Sequence, residues 1–124
     1  AHPVGAAAVV ACLSETQRLD TKSNAAVRGA QLYEGMLRLQ EKYDVIGDVR
    51  GGRGLMTGIE IVSDRTSKTP MDMVTMKKIH QATYEAGAMV RLGMHNVLMS
   101  PPLVITETEV EQIISAIDAG LASI

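Results

Sequence analysis

Gly51, Gly52, Gly54 and Gly58 lie between two stretches of helical periodicity, and a helix carried through them would lose roughly 1 kcal/mol at each. The backbone has to change its local structure there. Upstream, from Ala25 to Tyr43, two stripes recur at helical spacing: Leu32, Met36, Leu39 and Tyr43 on one, Ala26, Ala30, Tyr33 and Leu37 on the other. They predict a long amphipathic helix. Downstream, the β-branched residues Ile59, Ile61 and Val62 predict a strand.

Further elements follow from the same kind of reading. Pro3 suits a first helical turn, and the Ala-rich stretch from Val4 to Gln17 predicts a helix that the polar residues Asp20 to Asn24 bring to an end. Ser63 to Pro70 reads as an exposed loop. Met76, Ile79, Thr83 and Ala86 mark a helix over 72–86, with Gly87 in place for a left-handed C-terminal cap. Ala88 to Arg91 and Val97 to Ser100 are extended segments joined by a Gly-containing loop of hairpin length. Pro101 and Pro102 have no amide hydrogen to donate, so the chain leaves the ladder there. Thr106 and Glu109 form a capping box ahead of Val110, Ile113, Ile114, Ile117 and Leu121, the clearest helix of all.

The expected order α, α, β, α, β, β, α implies an α/β (α+β, two-layer) fold. One small, mostly antiparallel sheet is covered by helices on one face, and the first helix serves as a connector. The 124 residues, 46% of them hydrophobic, supply one core. With no Phe or Trp and eight Met, aliphatic and thioether side chains must fill it. A lone cysteine excludes an intrachain disulfide and fits a reducing cytoplasm; within its Ala-rich helix, Cys12 reads as a small core residue.

Twelve basic against fourteen acidic side chains, with only Tyr33, Tyr43 and Tyr84 to stack on bases, argue against nucleic acid as a partner. The longest apolar run, Val4 to Leu13, is about half of the ~20 residues a membrane-spanning helix needs. Neither an initiator methionine nor a basic segment precedes that run, and the opening at Ala1 reads as a cut end.

Few residues carry chemistry by spacing alone. The segment from Arg50 to Gly58 lacks the Gly-Lys-Ser/Thr ending of a P-loop and the spacing of a dinucleotide-binding turn, so its glycines read as backbone turn formers. Arg50 and Arg53 read as ion-pairing or subunit-contact residues. His2, His80 and His95 are scattered, with no acidic or cysteine cluster at metal-ligand spacing, and no elbow motif marks a nucleophilic serine. Arg91 stands apart, at the end of a short apolar strand and before a Gly-containing loop. From there it either makes a surface salt bridge or offers its planar fork to both oxygens of a carboxylate.

Four blocks of the sequence, taken in order, resemble the C-terminal part of class III, omega-type aminotransferases. They are Ala1-His-Pro-Val-Gly-Ala-Ala-Ala, Ile46-Gly-Asp-Val-Arg-Gly-Gly-Arg-Gly-Leu-Met-Thr-Gly-Ile-Glu, Glu85-Ala-Gly and Leu98-Met-Ser-Pro-Pro-Leu-Val-Ile-Thr-Glu. The resemblance spans essentially the whole chain. It implies a fold type I enzyme that uses pyridoxal 5'-phosphate to move an amino group from an amine or amino acid to a keto acid such as pyruvate. It also implies a cytoplasmic homodimer, with residues 1–18 as a connecting helix and residues 19–124 as the C-terminal small domain. The family's Schiff-base lysine, the acid facing the pyridine nitrogen and the phosphate-binding threonine would all precede Ala1. Lys22, Lys42, Lys68, Lys77 and Lys78 do not match that lysine's context, so an N-terminal large domain is the implied partner and the chain alone is expected to be inactive.

One family site carries over by position. Arg91, ten residues before Pro101, matches the mobile arginine that binds the substrate carboxylate. Leu92 replaces a common proline, and Gly51-Gly52 is one residue longer than the family's usual Arg-Gly-Arg-Gly form. The reading from another class is a self-standing α/β ligand-binding or protein-interaction module.

Overall fold

The computed structural model describes residues 2–124. In chain order the elements are helices α1 (Pro3–Arg18) and α2 (Thr21–Lys42), then strands β1 (Ile46–Arg50), β2 (Thr57–Asp64) and β3 (Thr69–Pro70). Helix α3 (Met73–Glu85), strands β4 (Arg91–Leu92) and β5 (Asn96–Met99), and helix α4 (Glu107–Leu121) complete the chain. The sheet runs β1-β2-β5-β4 with β3 on β2, and every pairing is antiparallel. Helices α2, α3 and α4 cover one face, which makes this the two-layer α/β fold expected from the residues.

The order differs from the expected one by two strands flanking β2. β1 is hidden from a period-two reading by a bulge between Ile46 and Asp48, which lets Ile46 and Val49 both face the core. β3 is a two-residue edge strand at the end of the stretch read as loop, and its Pro70 needs no ladder donor at such an edge. β4 is shorter than expected, and it starts later because the amides of Gly87 and Ala88 still bond back to Tyr84 and Thr83 of α3. The polar stretch before α2 breaks the chain only at Leu19-Asp20. Asp20 takes a left-handed conformation (φ 44°), and α2 already runs from Thr21. Asn24, inside that helix, instead donates to the carbonyls of Leu103 and Ile105 and anchors the loop that follows the proline pair.

Capping residues stand where their side chains satisfy free amides. Asp72 accepts from the amides of Val74 and Thr75, Gly87 has φ 100°, and Thr106 and Glu109 close a reciprocal box. The core joins Leu32 and Met36 of α2, Met76 and Ile79 of α3 and Val110 and Ile117 of α4 to Ile59, Ile61 and Val97 of the sheet. α1 contributes nothing to it. None of its residues is buried, and Val4, Val9, Val10 and Leu13 are exposed. Cys12 is exposed and not the core residue expected, because none of the described residues packs over that side of its helix.

Two close approaches require glycine, one between α2 and the β1–β2 loop and one between α4 and α3. A Cβ on Gly29 would run into the carbonyl of Gly54, and a Cβ on Gly120 into the Thr83 hydroxyl and, at 2.9 Å, the Ile79 carbonyl. Between α2 and α4, Asp118 accepts from Lys42 Nζ at 2.7 Å and from Tyr43 Oη at 2.6 Å. These donors, Lys42 foremost, hold the Asp118 carboxyl below the usual carboxylate range.

Gly29→Ala should cost about 1–3 kcal/mol, read from urea unfolding midpoints, because the clash is with backbone that cannot rotate away. Asp118 has a depressed folded pKa, so its contribution is present above the unfolded value of about 3.9 and is lost as pH falls through the folded value. Asp118→Asn should therefore lower the unfolding midpoint at neutral pH and differ much less from the parent at about pH 3.

Candidate functional site

Cross-strand partners share a face of a sheet, so the register determines which side chains meet on the face the helices leave uncovered. Arg91 pairs with Leu98, Leu98 with Gly58, and Gly58 with Arg50. The result is a row with an arginine at each end and a leucine and a glycine between them. At ~4.8 Å per strand spacing it spans about 14 Å. The next row carries Asn96, Glu60 and Asp48. Gly58 has no side chain to fill the middle, where a Cβ would already lie 2.8 Å from Leu98 Cδ2.

Two open depressions adjoin on this face and share Met56 and Leu98. One, of about 480 Å³, is lined by Asp48, Arg50, Glu60, His95 and Asn96, among others; the second, of about 430 Å³, by Met89, Val90, Arg91, Met99 and Ser100. Met56 and Met89 are 72% and 85% exposed, so thioether surface forms much of the wall around Arg91.

Charges on the face are unevenly matched. Arg50 Nε donates to Asp48 Oδ2 at 2.8 Å, and the guanidinium holds the Asp48 carboxyl below its ordinary range. Lys68 Nζ lies 3.3 Å from Glu60 Oε2 and also donates to the Gly47 carbonyl. Both carboxylates thus already have cations. Arg91, exposed at the start of β4, makes no ion pair and no side-chain hydrogen bond among the described residues. A surface salt bridge has no partner for Arg91 here, and the guanidinium remains available for an anion.

Arg50 forms the ion pair the sequence suggested, and the Arg50–Gly58 segment precedes a strand. Gly52 packs on the Tyr33 ring, and Gly54 faces Gly29, so the glycines serve backbone approach. The row that puts Arg50 and Arg91 on one face was invisible in the sequence, as was a bond from His80 Nε2 to the Val90 carbonyl at 3.0 Å. Only strand register and the packing of α3 reveal them. Among the described residues, no three His, Cys, Asp or Glu side chains come together as metal ligands, and no helix is long and apolar enough to cross a membrane.

The lysines among the described residues are not placed to hold an aldehyde on this face. Lys42 is engaged by Asp118 and Lys68 by Glu60, while Lys22, Lys77 and Lys78 project from exposed helix positions. Among the described residues, no lysine lines either depression.

Comparison with known proteins gives a consistent result. The family model for class-III aminotransferases matches residues 1–121. An alanine–glyoxylate aminotransferase 2 homologue from Arabidopsis thaliana is 36% identical over 98% of this chain, which spans 26% of that protein. A taurine–pyruvate aminotransferase from Bilophila wadsworthia is 32% identical over 97% of the chain, spanning 28% of its length. Among solved structures, a PLP-bound amine transaminase from an uncultivated Pseudomonas species superposes with a TM-score of 0.90 at 37% identity. That match covers 98% of this chain and 28% of the transaminase.

Proposed function

This chain belongs to the class-III aminotransferase family, and from that premise we propose that it is the C-terminal small domain of a larger, PLP-dependent transaminase. The enzyme transfers an amino group between an amine or amino acid and a keto acid such as pyruvate. Residues 1–18 form the connection to a large N-terminal domain, and residues 19–124 form the small domain. The whole acts as a homodimer in the cytoplasm, a compartment that keeps the Cys12 thiol reduced. The cofactor, which supplies the electron sink, is held by polypeptide outside this chain.

The observation that supports the reading is Arg91, without an ion-pair partner among the described residues, beside an open depression walled in part by thioethers. A transaminase handles two substrates in turn, and a carboxylate on either one must meet a cation. Arg91 is always charged, and its planar fork donates to both carboxylate oxygens at once. With no acidic partner among the described residues to break from, the side chain is free to grip a carboxylate or to turn aside. Met56, Met89 and Leu98 then offer an apolar wall to a substrate that lacks one.

In the full-length enzyme, Arg91→Ala should cost the keto-acid half-reaction about 1.5–3 kcal/mol, the range for a lost hydrogen bond to a charged group. A monoamine half-reaction should change far less, as measured by single-turnover kinetics. Equal losses in the two would remove Arg91 from carboxylate recognition. The isolated 124-residue chain should retain no cofactor after incubation with pyridoxal phosphate and dialysis; stoichiometric retention would contradict the division of labour proposed here.

A further inference from the structure

Arg91 sits in a strand of two residues at the edge of the sheet, hydrogen-bonded on one side only, to β5. Such a strand has little of its own to fix the angle at which a side chain leaves it. The preceding residue, Val90, is buried, and its carbonyl lies 3.0 Å from His80 Nε2 on α3. A carbonyl only accepts, so Nε2 carries the hydrogen and donates it. That carbonyl belongs to the rigid peptide unit joining Val90 to Arg91, so holding it also holds the plane from which Arg91 departs.

His80 is well placed to act as the fixed end. It is half-buried, next to Ile79 and one helical turn from Met76 and Thr83, all three fully packed. The other side-chain hydrogen bonds of α3 run to the helix's own cap or within the helix. Among the described residues, His80 is thus the single α3 side chain bonded to the segment that bears Arg91.

We propose that His80 is a positioning residue for Arg91, orienting the guanidinium for a carboxylate through the Val90 carbonyl. This rests on the reading of Arg91 as the carboxylate ligand.

The test uses the full-length enzyme and three substitutions. Gln places its amide nitrogen where Nε2 stands, Asn places it near Nδ1, and Phe keeps the ring without a donor. His80→Phe and His80→Asn should raise KM for the keto acid roughly two- to tenfold, the effect of one hydrogen bond, with kcat and the monoamine half-reaction little changed. His80→Gln should restore the parent value. Amide hydrogen exchange across residues 88–93 should quicken in the Phe and Asn variants and not in the Gln variant. Unchanged exchange and KM in His80→Asn, or equal losses in both half-reactions with no rescue by Gln, would overturn the proposal. If exchange responds as expected but Arg91→Ala leaves the keto-acid reaction untouched, the carboxylate role fails and the positioning of Arg91 for it fails too. If Arg91→Ala is selective and the His80 variants are silent, only the positioning role fails.

Discussion

Alternation along β2 organises this molecule. Its inward residues Thr57, Ile59 and Ile61 are buried beneath three helices, while Gly58 and Glu60 between them face the other way. β2 pairs with β1, β3 and β5, so its register is passed to nearly every other strand. A slip of one residue would expose the isoleucines and bury a carboxylate, and this makes the register costly to change. The same alternation that builds the core therefore presents Gly58 and Glu60 to the open face.

Cohesion is graded outward from that strand. Further in, α4 approaches α3 at Gly120 and α2 approaches the β1–β2 loop at Gly29 closely enough to leave no room for a methyl group. At the periphery, β4 holds the sheet edge with two residues, and α1 buries none of its side chains. The groups assigned to recognition lie at the loosely held edge. A side chain that must grip one substrate and release another benefits from such a place, provided something fixes its point of departure. On the proposed reading, the guanidinium of Arg91, unpaired among the described residues, and the bond from His80 to Val90 together would meet those two needs.

Much of the fold was legible because it rests on short-range effects. The box at Thr106 and Glu109, the left-handed Gly87 and the stripe through Leu32, Met36 and Leu39 each join residues within a turn or so of one another, and each stands as read. β1 was obscured because a bulge breaks its period, and β3 because two residues carry no period at all. Cys12 was misplaced for a different reason. Small residues in a helix signal a close neighbour, but whether one is present depends on chain remote in sequence.

Residue types and local spacing determined the helices and their caps, and the ordered blocks of residues indicated the family. Only the tertiary structure decided which face Arg91 shares with Arg50, that Arg91 has no acidic partner among the described residues, and that His80 reaches the peptide before it. Capping and periodicity are energies between near neighbours along the chain and can be read from one. Pairing register and helix-on-sheet contact are energies between distant segments, which exist only once the core has closed.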